Sequence, residues 1–255
     1  MKIAVLNQSH CQNVNLLLQN GMRPDIYALT PYSCKGYSKF LFHLLSFHYP
    51  HSERIFIGAL DQDQLIGFAE WVFMEKTLHL NNIYISGSAQ GKGIGKLLFE
   101  DGLQRARRFN LSTITLDVFK WNKRALSWYE KIGFIMRERN YWFQTPLPDK
   151  KEEGEFVIHN YPDAMASLDM YGFGRLFIET PDRKYGVLLL GDDYFRINHD
   201  EKFLNPDLLA GLNKINRNRK LIIINHSPTL QGNSALPYIS ESLRMKMDLP
   251  YGKEN

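Results

Sequence analysis

The chain has 255 residues, 44% hydrophobic and 23% charged, which is globular composition and enough length for one large domain or two ordinary ones. Its two cysteines, Cys11 and Cys34, exclude a disulfide framework and a CxxC zinc ribbon, and point to a reducing, cytoplasmic setting. The net charge of +4 divides into +6 over residues 1–148, with 17 Lys+Arg against 11 Asp+Glu, and −2 over the remainder, with 14 against 16; this suits an anionic small ligand on the first half but is too sparse for nucleic acid.

In chain order, "MKIAVL" predicts a strand and reaches polar residues too soon for the apolar core of a signal peptide. A short helix follows at 12–19, and "CKGYSKFLFHLLSFH" has apolar residues at helical spacing over about 35–48. "RIFIGAL", the turn "DQDQ" and "LIGFAEWVF" form a hairpin that "TLHLNNIYIS" extends to three strands. A glycine-rich loop leads into a helix ending near Arg108, where Arg105, Arg107 and Arg108 complement the helix dipole. "TITLDVF" is a strand and "NKRALSWYEKI" a helix stopped by Gly133; "FIMRER" and "YWFQT" are two closing strands. "TPLPDKKEEGE" has linker chemistry, so a boundary is expected at 148–154, with domains over 1–148 and 155–255.

The second half predicts a meander ("GRLFIET", "YGVLLL", "YFRIN"), a helix at 205–216, the strand "KLIIIN" and the late strand "ESLRMKMDL". Meander, helix and strand repeat the middle of the first half, but "NHDEKFLNPDLL" before the helix holds no glycine. A degenerate internal copy and a small unrelated α/β domain both fit. The most apolar runs, "GVLLL" and "LIIIN", fall far short of the roughly 20 residues that span a bilayer, so no membrane partner is expected.

"ISGSAQGKGIGKLL" (85–98) places Gly91, Gly93 and Gly95 between a strand and a helix, although each glycine inside a helix costs roughly 0.5–1 kcal/mol. Bare backbone at a helix start lets N–H groups converge on an anion. The phosphate loop GxxxxGK[ST] does not fit the spacing after Gly91, and the dinucleotide fingerprint GxGxxG meets Lys96 where its third glycine belongs. Gln90-x-x-Gly93-x-Gly95 does match [Q/R]-x-x-G-x-[G/A], the signature of the GNAT superfamily of acyl-CoA-dependent N-acetyltransferases, which the chain resembles. "LDVFKWNKRALSWYEKIGF" resembles that superfamily's next signature through Asn122, Ala125, Tyr129, Gly133 and Phe134, and the order of elements agrees over 1–145.

The resemblance implies an α/β (α+β) fold with a mixed, largely antiparallel central sheet flanked by helices, here followed by a second, smaller α/β domain. It implies transfer of an acetyl group from acetyl-CoA to a primary amine by direct attack, through a tetrahedral intermediate and without a metal. By position, the loop amides of Gln90, Gly91, Lys92, Gly93, Ile94, Gly95 and Lys96 would hold the pyrophosphate, with Lys92 and Lys96 adding charge or forming a solvated face. The backbone of Ile83, Tyr84 and Ile85 would run along the pantetheine arm where a bulge splays the fourth strand from the fifth. An amide near Ile83 would then hold the oxyanion. Tyr129 would protonate the leaving thiolate, or serve as a core tyrosine. Asn122 would bind the arm or cap its helix.

A base must deprotonate the amine. His79, eleven residues before Gln90, is one candidate, and by period-two counting it shares a face with Asn81, Ile83 and Ile85 unless a bulge intervenes. Glu70 is its rival, and a water chain is a third route. The acceptor class stays open among small amines, aminoglycoside-like molecules, amino acids, and protein N-termini or lysines. "YALTPYSCKGYSKFLFHLLSFH", with Tyr32, Tyr37 and Phe40, is placed on the acceptor side by the resemblance. An acyl-CoA-binding sensor without turnover is the alternative, the second half is a candidate acceptor-recognition domain, and a homodimer is left open.

Overall fold

The computed structural model describes residues 1–147, 154–200, 203–229 and 236–249. The first half runs through β1 (Lys2–Val5), α1 (Cys11–Gly21), α2 (Pro24–Tyr27), α3 (Tyr37–Leu44), β2 (Arg54–Asp61), β3 (Gln64–Met74), β4 (Thr77–Ile85), α4 (Ile94–Arg108), β5 (Thr113–Phe119), α5 (Lys123–Lys131) and β6 (Ile135–Pro146). The second half continues with β7 (Val157–His159), α6 (Tyr161–Tyr171), β8 (Phe173–Glu179), β9 (Lys184–Leu190), β10 (Tyr194–His199), α7 (Pro206–Asn216), β11 (Lys220–Asn225) and β12 (Tyr238–Asp248). Among the described residues, no helix is long and apolar enough to cross a membrane.

All twelve strands form one mixed sheet in the order β1-β2-β3-β4-β5-β12-β6-β11-β10-β9-β8-β7. Among the described residues, only β4–β5 and β10–β11 pair in parallel. Each parallel pair is joined through a helix, α4 or α7, and each follows a three-strand antiparallel meander. The second half therefore repeats the β2-to-β5 layout of the first.

The sheet crosses the expected boundary, whose residues 148–153 lie outside the described ones. The late strand β12 does not stay in the second half. It inserts between β5 and β6, antiparallel to both, while β6 pairs on its other edge with β11.

Several elements differ from the reading of the sequence, α2 and β7 among them. "FIMRER" and "YWFQT" are one continuous strand, because Asn140 between them stays extended opposite Ser242. Helix α6 was not anticipated, although Pro162 in its first turn and Gly172 in the left-handed conformation at its end are ordinary start and stop signals.

One sheet face is covered by α4 and α5 over the first half and by α6 and α7 over the second; α1, α2 and α3 pack on the opposite face. Alternation along each strand drives this. In β5, Ile114, Leu116 and Val118 join the α4-side core, whereas Thr115, Asp117 and Phe119 face away from it.

The α4-side core centres on Trp71, which is fully buried and packs over Gly102 of α4; a Cβ at 102 would run into the indole ring. Gly102→Ala is expected to overpack this contact and cost about 1–3 kcal/mol, despite alanine's better helix propensity. A thermal melt checks it: a raised Tm would mean that the helix and the indole separate freely.

Candidate active site

β4 and β5 pair only over 77–80 and 113–116. At that point β4 carries a bulge: Leu80 opposes Trp71 and Asn82 opposes Glu70, so Asn81 is the extra residue. The strands part there. Residues 117–119 of β5 pair with β12, and the β5-facing edge of β4 beyond Leu80 is left without a neighbouring strand. A cleft of about 1110 Å³ opens along this wedge, with Ile83, Tyr84 and Ile85 in one wall.

The bulge also resets which residues share a face. Leu80, Ile83 and Ile85 lie on the α4 side, while His79, Asn82 and Tyr84 lie on the α1 side with Glu70. His79 therefore does not share a face with Ile83 and Ile85 as plain alternation predicts. It does not line the cleft. Its Nδ1 lies 3.0 Å from Thr115 Oγ1 and its Nε2 3.9 Å from Asp117, and burial lowers its pKa to about 4, so the ring is neutral near pH 7.

At the α4 end of the cleft, Gly91 and Gly93 both adopt φ of +80°, which β-carbons disfavour. Gly93 is the N-cap of α4 and gives no side-chain cap, so the amides of Ile94, Gly95 and Lys96 have no intrahelical partner. A Cβ at 91 or 93 would meet nothing within 4 Å, so the space beside these amides is open. This cradle fits a diphosphate.

Gln90 is held from two sides: its Nε2 donates to the Ile85 carbonyl at 3.3 Å, and its Oε1 accepts from Arg124 Nη1 at 2.8 Å. Arg124, in the first turn of α5, brings a cation to the loop that the motif reading did not assign. Lys96 lines the cleft but sits 3.6 Å from Glu100, and Lys92 is exposed and outside the lining.

Tyr129 lines the cleft from α5 with 5% exposure, packed between Trp128 and Phe134. Burial pushes its phenol well above the ordinary value, so it stays protonated. Asn122 also lines the cleft and caps α5, its Oδ1 accepting from the Ala125 amide at 3.2 Å. Glu70 is 2% exposed and does not line the cleft. On the α1 side the walls include Tyr32 and, from β12, Ser242 and Arg244. Arg244 grips Asp117 through two bonds of 2.6 and 2.8 Å. The second half thus supplies part of the wall.

The corresponding strand pair in the second half does not part, although Asn198, His199 and Ile224 at its end line the same cleft. β10 and β11 pair over the whole of both strands, with no wedge. The Asn205 side chain accepts from the amides of Asp207 and Leu208 at 2.9 and 3.0 Å, filling the N-terminus of α7 that its counterpart α4 leaves bare.

The model of the Acetyltransferase (GNAT) family matches residues 24–134. The [ribosomal protein bS18]-alanine N-acetyltransferase of Haemophilus influenzae is 34% identical over 109 residues, which are 41% of this chain and 70% of that protein. A mycothiol acetyltransferase of Streptomyces avermitilis is 35% identical over 93 residues, 35% of this chain; the match spans only 30% of that relative's length. Among solved structures, a tandem GNAT protein from the clavulanic acid biosynthesis pathway aligns with 100% of this chain and 99% of its own at a TM-score of 0.64 and 11% identity. A putative acetyltransferase from Pyrococcus horikoshii aligns with 99% of this chain and 91% of its own at 0.65 and 16%. At such identities these two likenesses concern the fold, and they extend it over both halves.

Proposed function

Because the chain belongs to the GNAT family of acetyltransferases, we propose that it transfers an acetyl group from acetyl-CoA to a primary amine, through the cleft that opens in its first half and takes part of its wall from the second. The observation that carries this reading is the wedge between β4 and β5, with the uncapped glycine turn at one end and a buried tyrosine in its wall.

In this reading the free amides at 94–96 and the left-handed turn at 91–93 receive the diphosphate of the donor, where convergent N–H groups and the α4 dipole favour negative charge. The unpaired edge of β4 offers main-chain groups of Ile83, Tyr84 and Ile85 to the extended arm. The bound donor would supply an activated thioester; the amine, giving up its proton through water in the cleft, attacks it directly to a tetrahedral intermediate, whose C–S bond then breaks. An amide near Ile83 stabilises the oxyanion. Tyr129, kept protonated by burial, gives its proton to the departing thiolate. The amine enters from the face covered by α1, α2 and α3, past Tyr32 and the β12 residues.

The test is release of free thiol from acetyl-CoA in the presence of a panel of primary amines. Amine-dependent release supports transfer; tight binding with no release for any amine favours the sensor reading. Tyr129→Phe is expected to lower turnover about a hundredfold, within the usual range for loss of a general acid, and to leave the acetyl-CoA Kd within twofold. An unchanged turnover number removes Tyr129 from the chemistry.

A further inference from the structure

Resting on the amine-transfer reading above, we infer that Glu70 is a positioning residue: it orients the side chains of Asn81 and Asn82 so that, beside the start of the wedge, they offer the acceptor amine only hydrogen-bond acceptors. The bulge is what makes this arrangement possible. In regular β-structure consecutive side chains point to opposite faces, but here the Nδ2 atoms of Asn81 and Asn82 reach the same carboxylate oxygen, Oε2 of Glu70, at 2.7 and 2.6 Å. Arg54 Nη1 donates to the other oxygen at 2.6 Å.

Three close donors therefore surround a carboxylate that is 2% exposed and lies outside the cleft lining, whereas both asparagines line it. Glu70 sits behind the wall and acts through it.

A carboxylate can only accept, so it dictates which way each amide turns: nitrogen toward Glu70, oxygen away. The second hydrogens of the two Nδ2 groups are directed to Tyr32 Oη, at 2.8 Å from Asn82 and 3.4 Å from Asn81. With their donors consumed, the asparagines have only carbonyl oxygens to give a ligand. Tyr32 keeps its hydroxyl hydrogen, and burial beside Glu70 pushes its phenol up to about 12, so no phenolate forms at neutral pH.

The station suits a primary amine. Such a nucleophile has N–H groups to donate and must leave its lone pair aimed at the thioester; neutral oxygens hold those hydrogens without competing for the lone pair. An anionic nucleophile finds no donor on either asparagine. Arg54 balances the charge of Glu70, so the station selects by hydrogen-bond polarity more than by net charge.

Steady-state kinetics on the full chain test this, with acetyl-CoA as donor and an alanine-initiated hexapeptide, an N-blocked lysyl peptide and putrescine as acceptors. Asn81→Ser removes one carbonyl at an exposed position and is expected to raise the acceptor KM about tenfold, the equivalent of one well-made hydrogen bond. Glu70→Gln, whose amide donates as well as accepts, frees both asparagines to turn and is expected to raise it at least as far. For both variants, kcat at saturating acceptor and the acetyl-CoA KM should stay within twofold of the parent chain. If Glu70→Gln fails to fold for lack of a partner to Arg54, Asn81→Ser decides alone. An unchanged acceptor KM in an active parent background overturns the inference and leaves the transfer reading standing. A fall in kcat at unchanged acceptor KM also overturns it, because that marks Glu70 as the base itself. Absence of transfer to all three acceptors by the parent chain overturns the transfer reading and the inference together.

Discussion

A valine at position 93 is expected to abolish acetyl-CoA binding while leaving most of the fold intact. Gly93 has φ of +80° and is the last residue before α4. A β-branched residue there costs about 1–3 kcal/mol of backbone strain, relieved by turning the peptide away and carrying the first amides of α4 with it. The valine would meet no protein atom within 4 Å of its Cβ, so the packed core is not disturbed. Its methyl groups would stand instead in the open space beside the amides at 94–96. Strain and obstruction together should weaken Kd by at least about a hundredfold, equivalent to about 3 kcal/mol. Titration calorimetry with acetyl-CoA measures this, alongside a thermal melt to show that the variant is folded. Retained affinity would mean that the diphosphate is held elsewhere.

The second large effect concerns the chain beyond the first half. A fragment ending at Thr145 is expected not to fold, even though it contains the glycine turn, Tyr129 and the wedge. Without β12, residues 113–119 of β5 and most of β6 become bare strand edges. The α4-side core also loses Leu243, Met245 and Leu249, all at most 8% exposed. Deleting a buried large aliphatic side chain costs about 2–5 kcal/mol, so three of them approach the whole net stability of a domain, about 5–15 kcal/mol. Far-UV circular dichroism and a denaturant titration of the fragment would show this. A cooperative transition near that of the full chain would mean that β5 and β6 can pair with each other when β12 is missing.

That expectation rests on a strand that crosses from the second half into the first, which shows where local reading stops. The backbone demand at Gly91 and Gly93 was legible because three glycines at a helix start carry a local cost that only local geometry explains. The repeated order of meander, helix and strand was legible for the same reason, since each element announces itself by its own periodicity. "ESLRMKMDL" was read correctly as a strand, but its neighbours lie about a hundred residues away or more, and alternation says nothing about which edges a strand joins. The bulge at Asn81 left no glycine or proline to mark it, and a one-residue insertion reverses every facing beyond it; hence the misplaced partners of His79. Glu70 was identified as a candidate base from its residue type, while its role behind Asn81 and Asn82 depends on two amides meeting one carboxylate. The lack of a bare helix start in the second half was half visible in the missing glycines. The other half, Asn205 turning its own side chain onto the α7 amides, is a cap that its Asn-Pro dipeptide allowed but did not single out.

The threading of β12 also sets an order of events during synthesis. The ribosome completes the glycine turn, α5 and β6 long before it reaches residue 238, so a growing chain carries the parts of its cleft with a strand-wide gap between two of them. The nascent protein must shelter those edges, from neighbours and from each other, until the final strand arrives to be laid between them. The sheet beside the cleft is then completed by a segment that holds neither the glycines nor the tyrosine.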